Sequence, residues 1–330
     1  WQDITEKLAT RDMAMPLEEG MEIFTKVEAE LIEDAPAGAE FFLSLTRGGT
    51  FNVDSVSSSY ISSDRLLTVP VAFEHREPRL EGLVTVRTTG RGLGRVFIYK
   101  KDRTSNPAHS AVAKITSGMD MIKLAGPGQL ITVNVKPDRI MLLGSKLDDA
   151  IAQMQKRGID VEVKGHTGED AVVVGQDPAQ TMSILKNKKV LITSIPSSRL
   201  VAVELDDSLA PKTLDYFRHV TGLKERPVGP LPVFFVYENT LLFKPEIDAT
   251  SFKELLPENK PTGPVPAGSI AVSNTISKRI GLVGVKLKED KRYGPSGEKF
   301  EATNLIGRVL EPEKLKDVRE GETIYIMEAR

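Results

Sequence analysis

Short stretches in which apolar and polar residues alternate dominate the chain, with Pro- and Gly-rich connections between them, and helical periodicity surfaces in only a few places. Val27-Glu28-Ala29-Glu30-Leu31 and Val201-Ala202-Val203-Glu204-Leu205 read as strands. Each is followed by an Ala-Pro step, Ala35-Pro36 and Ala210-Pro211, and then by a pair of aromatics, Phe41-Phe42 and Tyr216-Phe217. Proline in a first helical turn sacrifices no hydrogen bond and a glycine just past the end takes a left-handed cap, so both segments are predicted to be helices. Leu214, Phe217 and Val220 share one helix face, as do Ala39, Phe42 and Leu45, and such apolar stripes predict core rather than ligand contact.

The likeness continues beyond the helices. Gly82 to Val86 aligns with Gly268 to Val272, Val96 to Arg103 with Gly284 to Lys291, and Gly128 to Val133 with Gly321 to Ile326. Val112, Lys114 and Ile115 likewise match Ile306, Arg308 and Val309. The offset between copies grows only in Pro/Gly-rich connections, where insertions are tolerated. Between the copies, Leu147, Ala150, Ile151 and Met154 form an amphipathic helix ended by Gly158. Strand-like runs at Ile159 to Val163, Ala171 to Pro178 and Val190 to Thr193 follow it. The chain thus divides into a lead-in at 1–26, a first β unit at 27–137, a small αβ module at 138–197 and a second β unit at 198–330. A module of this size leans on its neighbours.

Among the 330 residues, 40% are hydrophobic and 27% charged, which is ordinary globular composition. The 44 basic and 46 acidic residues give a net charge of −2, which supplies no overall attraction to nucleic acid or to an anionic membrane. No apolar run approaches the ~20 residues of a membrane span. The residues from Trp1 to Arg11 lack the regions of a signal peptide, so the chain is read as cytoplasmic and Trp1 as an internal start. The count of zero cysteines removes disulfides, thiolate nucleophiles and cysteine-ligated clusters.

The four histidines, His75, His109, His166 and His219, show no metal-binding spacing. His219 is read on the solvated side of the second repeat helix. His109 is read in a polar loop just ahead of a strand near Val112, and is the histidine singled out for ligand contact. Gly90 to Arg95 has a phosphate-cradle composition but lies between two strands, which favours a β-hairpin turn. Arg87, Arg91, Arg95 and Arg103 could build one basic face, suited to an acidic protein partner rather than nucleic acid, because only 6% of residues are aromatic. The candidate binding residues are therefore Arg87, Arg95, Tyr99, Arg103 and His109. No catalytic or metal-ligating set is read. Ser57 to Ser59 with Ser62-Ser63, and Tyr293 to Gly297, read as loops, the latter as a solvated hairpin end.

The second unit, through Val203-Glu204-Leu205, Ala210-Pro211, Tyr216-Phe217-Arg218 and Asn304 to Val309, resembles a cyclophilin-like barrel. The Val-x-Gly-Gln-x-Pro type stretch of the middle module resembles a PASTA module, which in that family binds or spaces. True isomerases of the cyclophilin type use an Arg followed by Phe and Gln after the first helix. That pattern is missing from Lys224 to Pro232, and Phe73-Glu74-His75-Arg76 bears only a short likeness to the isomerase strand.

The whole chain, through Gly82 to Val86, Arg95 to Arg103, Ala171 to Pro178, Ala210 to Leu223 and Tyr293 to Val309, resembles the methanogenesis marker protein 3 family. The resemblance implies an α+β, mainly β fold in which two tandem cyclophilin-like β-barrels flank a PASTA-like α/β module. It also implies a non-catalytic scaffold in the ATP-dependent activation or assembly of methyl-coenzyme M reductase in methanogenic archaea. The implied partners are the reductase or its iron–sulfur and ATPase activation proteins, with no cofactor held by this chain. The alternative is a prolyl isomerase or small-ligand barrel.

Overall fold

The computed structural model describes residues 26–245, 252 and 254–329, so the lead-in up to residue 25 lies outside the described residues. The first unit runs β1 (Val27–Leu31), α1 (Pro36–Leu45), β2 (Thr50–Asn52), β3 (Ser55–Val56), β4 (Tyr60–Ser63), β5 (Leu83–Arg87), β6 (Val96–Tyr99), β7 (His109–Ser117), α2 (Met119–Leu124) and β8 (Leu130–Lys136). The middle module has α3 (Leu147–Lys156), β9 (Asp160–Gly165), β10 (Ala171–Asp177), α4 (Thr181–Asn187) and β11 (Lys189–Pro196). The second unit has β12 (Leu200–Leu205), α5 (Pro211–Val220), β13 (Val228–Tyr237), β14 (Thr240–Phe243), β15 (Ser269–Ser273), β16 (Val283–Lys286), β17 (Thr303–Val309) and β18 (Thr323–Glu328). Ser62 and Ser63, read as loop from the sequence, belong to β4, and the period-two alternation of Tyr60, Ile61 and Ser62 across the sheet explains why.

The second unit is a closed seven-stranded barrel, β12-β17-β15-β16-β14-β13-β18. The first is an eight-stranded sheet, β2-β8-β1-β7-β5-β6-β4-β3, which keeps that order once β2 and β3 together are matched to β13. β13 pairs with β18 through Val228 to Pro232 and with β14 from Val233 onward. Its counterpart is broken, so β2 pairs only with β8 and β3 only with β4. Of the two expected barrels, one is closed and the other is a half-barrel, whose two edge strands are consecutive in the chain. The break keeps its anchor. Val53 N–H donates to Gln129 O at 2.9 Å and Val53 O accepts from Gly128 N at 2.7 Å. Val233 does the same with Glu322 O at 2.8 Å and Gly321 N at 3.0 Å.

Pairing corrects one alignment. Val96 lies opposite Val86 and Val283 opposite Val272, so Val96 corresponds to Val283 and Phe97 to Gly284, one residue away from the sequence match. A one-residue slip sends every side chain to the other face, and both valines are buried in their respective cores.

Both repeat helices start at the Ala-Pro step, with Pro at the first helical position and no side-chain cap from Ala35 or Ala210. The orphan N–H groups are satisfied from a distance. Glu74 Oε1 and Oε2 accept from Ala37 N at 3.2 Å and Gly38 N at 2.9 Å. Glu258 accepts from Lys212 N at 3.0 Å and Thr213 N at 2.7 Å. The Phe73 to Arg76 segment, likened in sequence to an isomerase strand, is thus outside any strand and serves as a helix cap.

Each of the three units has its own hydrophobic core, and a fourth, smaller cluster of Leu83, Phe97, Tyr99 and Ala111 lies on the outer face of the half-barrel. The core of the middle module also takes in Leu200 and Val228 of the second unit, with Tyr325 and Met327 packed against it. Its three strands lie in the order β10-β11-β9. Each contributes apolar residues to one face, and that face needs helices α3 and α4 to cover it.

Candidate functional site

The candidate residues converge on the outer face of the half-barrel. Along β5 and β6 the inward residues Val84, Val86, Val96 and Ile98 join the core, so Thr85, Arg87, Phe97 and Tyr99 point outward. Tyr60, Phe97 and Tyr99 pack as an aromatic group there, Tyr60 edge-on to Phe97 with centroids 5.1 Å apart. His109 joins them, its ring 4.9 Å from Phe97.

His109 is the first residue of β7, opposite Arg87 in register, and only 6% exposed; it does not sit in a loop. The polar run Thr104-Ser105-Asn106 and the following Pro107 disguise a residue that pairing with β5 draws into the sheet. Thr85 Oγ1 lies 3.0 Å and Tyr99 Oη 3.3 Å from His109 Nδ1. Arg79 Nη1 donates to Tyr99 Oη at 3.2 Å, and the Arg79 guanidinium also lies over the Tyr99 ring. The chain Arg79 to Tyr99 to His109 therefore suits a neutral imidazole that accepts at Nδ1. Burial, reinforced by the charges of Arg79 and Arg87, pushes the His109 pKa down to about 4.

The remaining candidates are only loosely part of this group. Arg95 lies at the far end of the same face, where its Nε and Nη2 grip the Asp64 carboxylate at 2.5 and 2.7 Å. Arg87 Nε donates to Thr89 O at 3.0 Å. Arg103 is exposed, and its backbone exchanges two hydrogen bonds with Arg79, which straps the covering loops together. The four arginines do not form one unpaired basic face. Gly90 to Arg95 closes the β5–β6 hairpin as the sequence reading expected, with Gly94 N bonded to Arg87 O. Arg79 is the participant that sequence reasoning missed, because nothing in its local run signals that it will reach Tyr99.

The equivalent face of the closed barrel carries different chemistry. Gly284 takes the place of Phe97, and the Pro295–Ser296 backbone packs directly on it. Ser296 Oγ lies 2.8 Å from Thr303 Oγ1, and Thr303 is the register counterpart of His109. Lys286, 5% exposed, donates to Thr240 Oγ1 at 2.9 Å and to Asp290 Oδ2 at 2.7 Å. Lys286 and two backbone N–H groups hold the Asp290 carboxyl down at about 2 despite the opposing effect of burial. Gly294 to Ser296 are buried, so the expected solvated hairpin end is instead a lid on the barrel wall. His219 is likewise 4% exposed rather than solvated, packed 5.0 Å from Phe252 on the inner side of α5.

Among the described residues no three His, Asp or Glu side chains are grouped to hold a metal ion, and no helix is long and apolar enough to cross a membrane.

The chain is similar to UPF0288 proteins of methanogens. It is 46% identical to that of Methanosarcina barkeri over 99% of this chain and 63% of the relative. The relative from Methanothermobacter thermautotrophicus is 37% identical over 100% of this chain and 63% of its own length. For Methanopyrus kandleri the identity is 34%, over 99% and 65%. The chain thus spans 63% of the length of the first of these relatives. Residues 201–329 match a family model described as "Putative peptidyl-prolyl cis-trans isomerase domain", and the match falls on the closed barrel. A solved B. cereus protein described as uncharacterized overlays on 35% of each chain at 11% identity with a TM-score of 0.30, too low to bear on the fold.

The outer wall of the half-barrel is filled largely by its own residues. Thr85, Phe97, Tyr99 and His109 are each at most 6% exposed, and each polar atom named among them has a partner within the chain. The exception on this wall is Ser62 Oγ, opposite Phe97 in register, which is buried with no hydrogen-bond partner.

Proposed function

We propose that the chain is a non-catalytic assembly component of methanogens that binds partner proteins, acting in the ATP-dependent activation or assembly of methyl-coenzyme M reductase. The observation that carries this reading is the closure of both outer walls. One is filled by a neutral, hydrogen-bonded His109 cluster, and the other is covered by the chain's own Gly294–Ser296 turn. An acid–base or nucleophilic site needs a reacting group within reach of substrate, and the burial of His109 and of the Gly294–Ser296 turn supports the reading that neither wall supplies one. The shared strand order supports treating both units as one kind of fold, read here as cyclophilin-like. Partner contact is served by the β13–β14 hairpin, where Phe234, Phe235 and Tyr237 are 45%, 42% and 61% exposed.

The second reading, a prolyl isomerase or small-ligand barrel, is favoured by the family-model match over residues 201–329. Two measurements separate the readings. Tagged chain incubated with methanogen lysate is expected to retain reductase subunits or their activation proteins, identified by mass spectrometry, and Tyr237→Ser with Phe235→Ser is expected to weaken that capture. Tetrapeptide proline isomerisation is expected to proceed at the spontaneous rate. Catalysis above the spontaneous rate would overturn the non-catalytic assignment, and its loss in His109→Ala or Arg95→Ala would place it on the half-barrel.

A further inference from the structure

A cavity of about 1340 Å³ opens where the half-barrel, the middle module and the closed barrel meet. Its walls come from different units. Gly48, Gly49 and Arg65 line it from the half-barrel, and Lys224, Glu225 and Arg226 from the closed barrel. The Gly48-Gly49 and Lys224 to Arg226 segments follow α1 and α5, whose C-terminal ends favour cationic side chains nearby.

The floor is fixed by Arg139. Its Nε donates to Glu40 Oε1 at 2.7 Å, and its Nη2 to Ser44 Oγ at 2.6 Å and Glu225 O at 2.9 Å. Glu40 Oε2 accepts in turn from Thr181 N and Thr181 Oγ1, so one partly buried ion pair joins all three units.

Most lining charges are neutralised locally. Lys224 pairs with Asp215 at 2.6 Å, and Arg218 with both Asp207 and Glu328. Arg65 and Arg226 are different, since neither guanidinium has a carboxylate partner among the described residues. Arg65 gives Nη1 to Leu45 O at 2.9 Å and Arg47 O at 3.5 Å, which leaves Nε and Nη2 to donate. The Arg226 guanidinium occupies the space that a Cβ would fill at Gly222. Burial raises the pKa of Glu225 beside it, against the opposing charges of Arg226 and Arg139, and Asp138 is a further carboxylate on the lining.

We propose that this cleft binds a polyanionic small molecule, with Arg65 and Arg226 recognising its anionic groups from opposite walls. Guanidinium forks match carboxylate and phosphate oxygens alike. The volume exceeds the roughly 300–1,000 Å³ of ordinary ligand pockets, which leaves room for a ligand that reaches both arginines at once. Its bound form cross-links the two barrels, which otherwise meet here through Arg139 and Arg47.

The test is calorimetric titration of the whole chain at low salt with tripolyphosphate and, separately, benzenehexacarboxylate, using raffinose as a neutral control of comparable size. At least one anion is expected to bind saturably, and which one does so identifies the phosphate or carboxylate class. Arg226→Glu is expected to weaken that binding about tenfold or more, while Arg91→Glu, a charge-matched change on the distant hairpin, leaves it intact. Because Arg65 also braces the end of α1, Arg65→Gln is compared only where its melting temperature matches wild type, and Arg226→Glu carries the decision otherwise. Absence of saturable heat with both anions overturns the proposal. Wild-type affinity in Arg226→Glu, or equal weakening in Arg91→Glu, overturns it as well.

Discussion

Glu74 and Glu258 cap equivalent helix ends in the two barrels, and equivalent strand residues position them. Ser110 Oγ on β7 accepts from Glu74 N at 3.2 Å, and Asn304 Oδ1 on β17, its register counterpart, accepts from Glu258 N at 3.1 Å. A carboxylate on two orphan N–H groups at the positive end of a helix is a charge-assisted cap. Glu74→Ala is expected to destabilise the first unit by about 1–2 kcal/mol. Glu258→Ala should cost more, because Glu258 also accepts from Thr213 Oγ1 at 2.6 Å. Urea unfolding followed by circular dichroism checks both; equal midpoints for wild type and variants would remove the capping role.

The helix starts were readable because Pro at the first helical turn leaves a local mark, as do the alternating strands. The caps were not, because Glu74 and Glu258 lie in dissimilar loops and reach α1 and α5 only through tertiary folding. The same applies to His109, whose polar preceding residues suggest a loop and whose burial depends on Arg79 and Tyr99 arriving from other segments. The slip at β6 and β16 has a related origin, since Gly284 replaces an aromatic and removes the side chain that would have fixed the alignment. Which of the two barrels closes depended on whether the strand after the helix runs unbroken past its anchor, as β13 does at Val233 and β2 does not at Val53, and periodicity does not report that.

His109 makes stability depend on pH. Its folded pKa of about 4 lies below the ordinary 6.5, so between these values the unfolded chain binds the extra proton. The contribution is complete above about pH 6.5 and is lost as pH falls toward 4, at about 1.4 kcal/mol per pH unit. His109→Asn keeps an acceptor near Nδ1 and removes the titration. Urea midpoints from pH 4 to 7 are expected to fall more steeply with acid in wild type than in His109→Asn, and parallel curves would refute the assignment.

Ser62 Oγ is buried without a partner, which carries a desolvation cost that no hydrogen bond offsets. Ser62→Ala is therefore expected to be stabilising by up to about 1 kcal/mol, against the usual direction for a buried substitution. A melting temperature lower than wild type would show that the hydroxyl is satisfied in solution.

Arg139 and Glu40 are 16% and 14% exposed, and their ion pair joins the three units. Removing one partner leaves the other charge buried, at a cost of about 3–5 kcal/mol. Arg139→Ala is expected to lower the urea midpoint and expose the connections around residues 138–144 and 222–227 to limited proteolysis. Glu40→Gln with Arg139→Met, which leaves no charge behind, should recover much of the loss. A double variant as unstable as Arg139→Ala would mean that packing rather than charge dominates there.

The lid on the closed barrel depends on the absence of a side chain at Gly284, where the Pro295 carbonyl and the Ser296 Cα occupy the position of a Cβ. Both obstacles are backbone, so Gly284→Ala cannot be absorbed by a rotamer change, and its cost belongs at the upper end of the ~1–3 kcal/mol typical of overpacking. The turn rather than the strand should give way, because β16 is paired on both sides, with β14 and β15. Gly284→Ala is then expected to break the Ser296–Thr303 contact, speed proteolysis within 287–299, and leave the first unit's unfolding unchanged. Protection of that turn at wild-type level in the variant would show that the lid is held by Lys286 and Asp290 alone, and that the wall has room which the close approach at Gly284 denies.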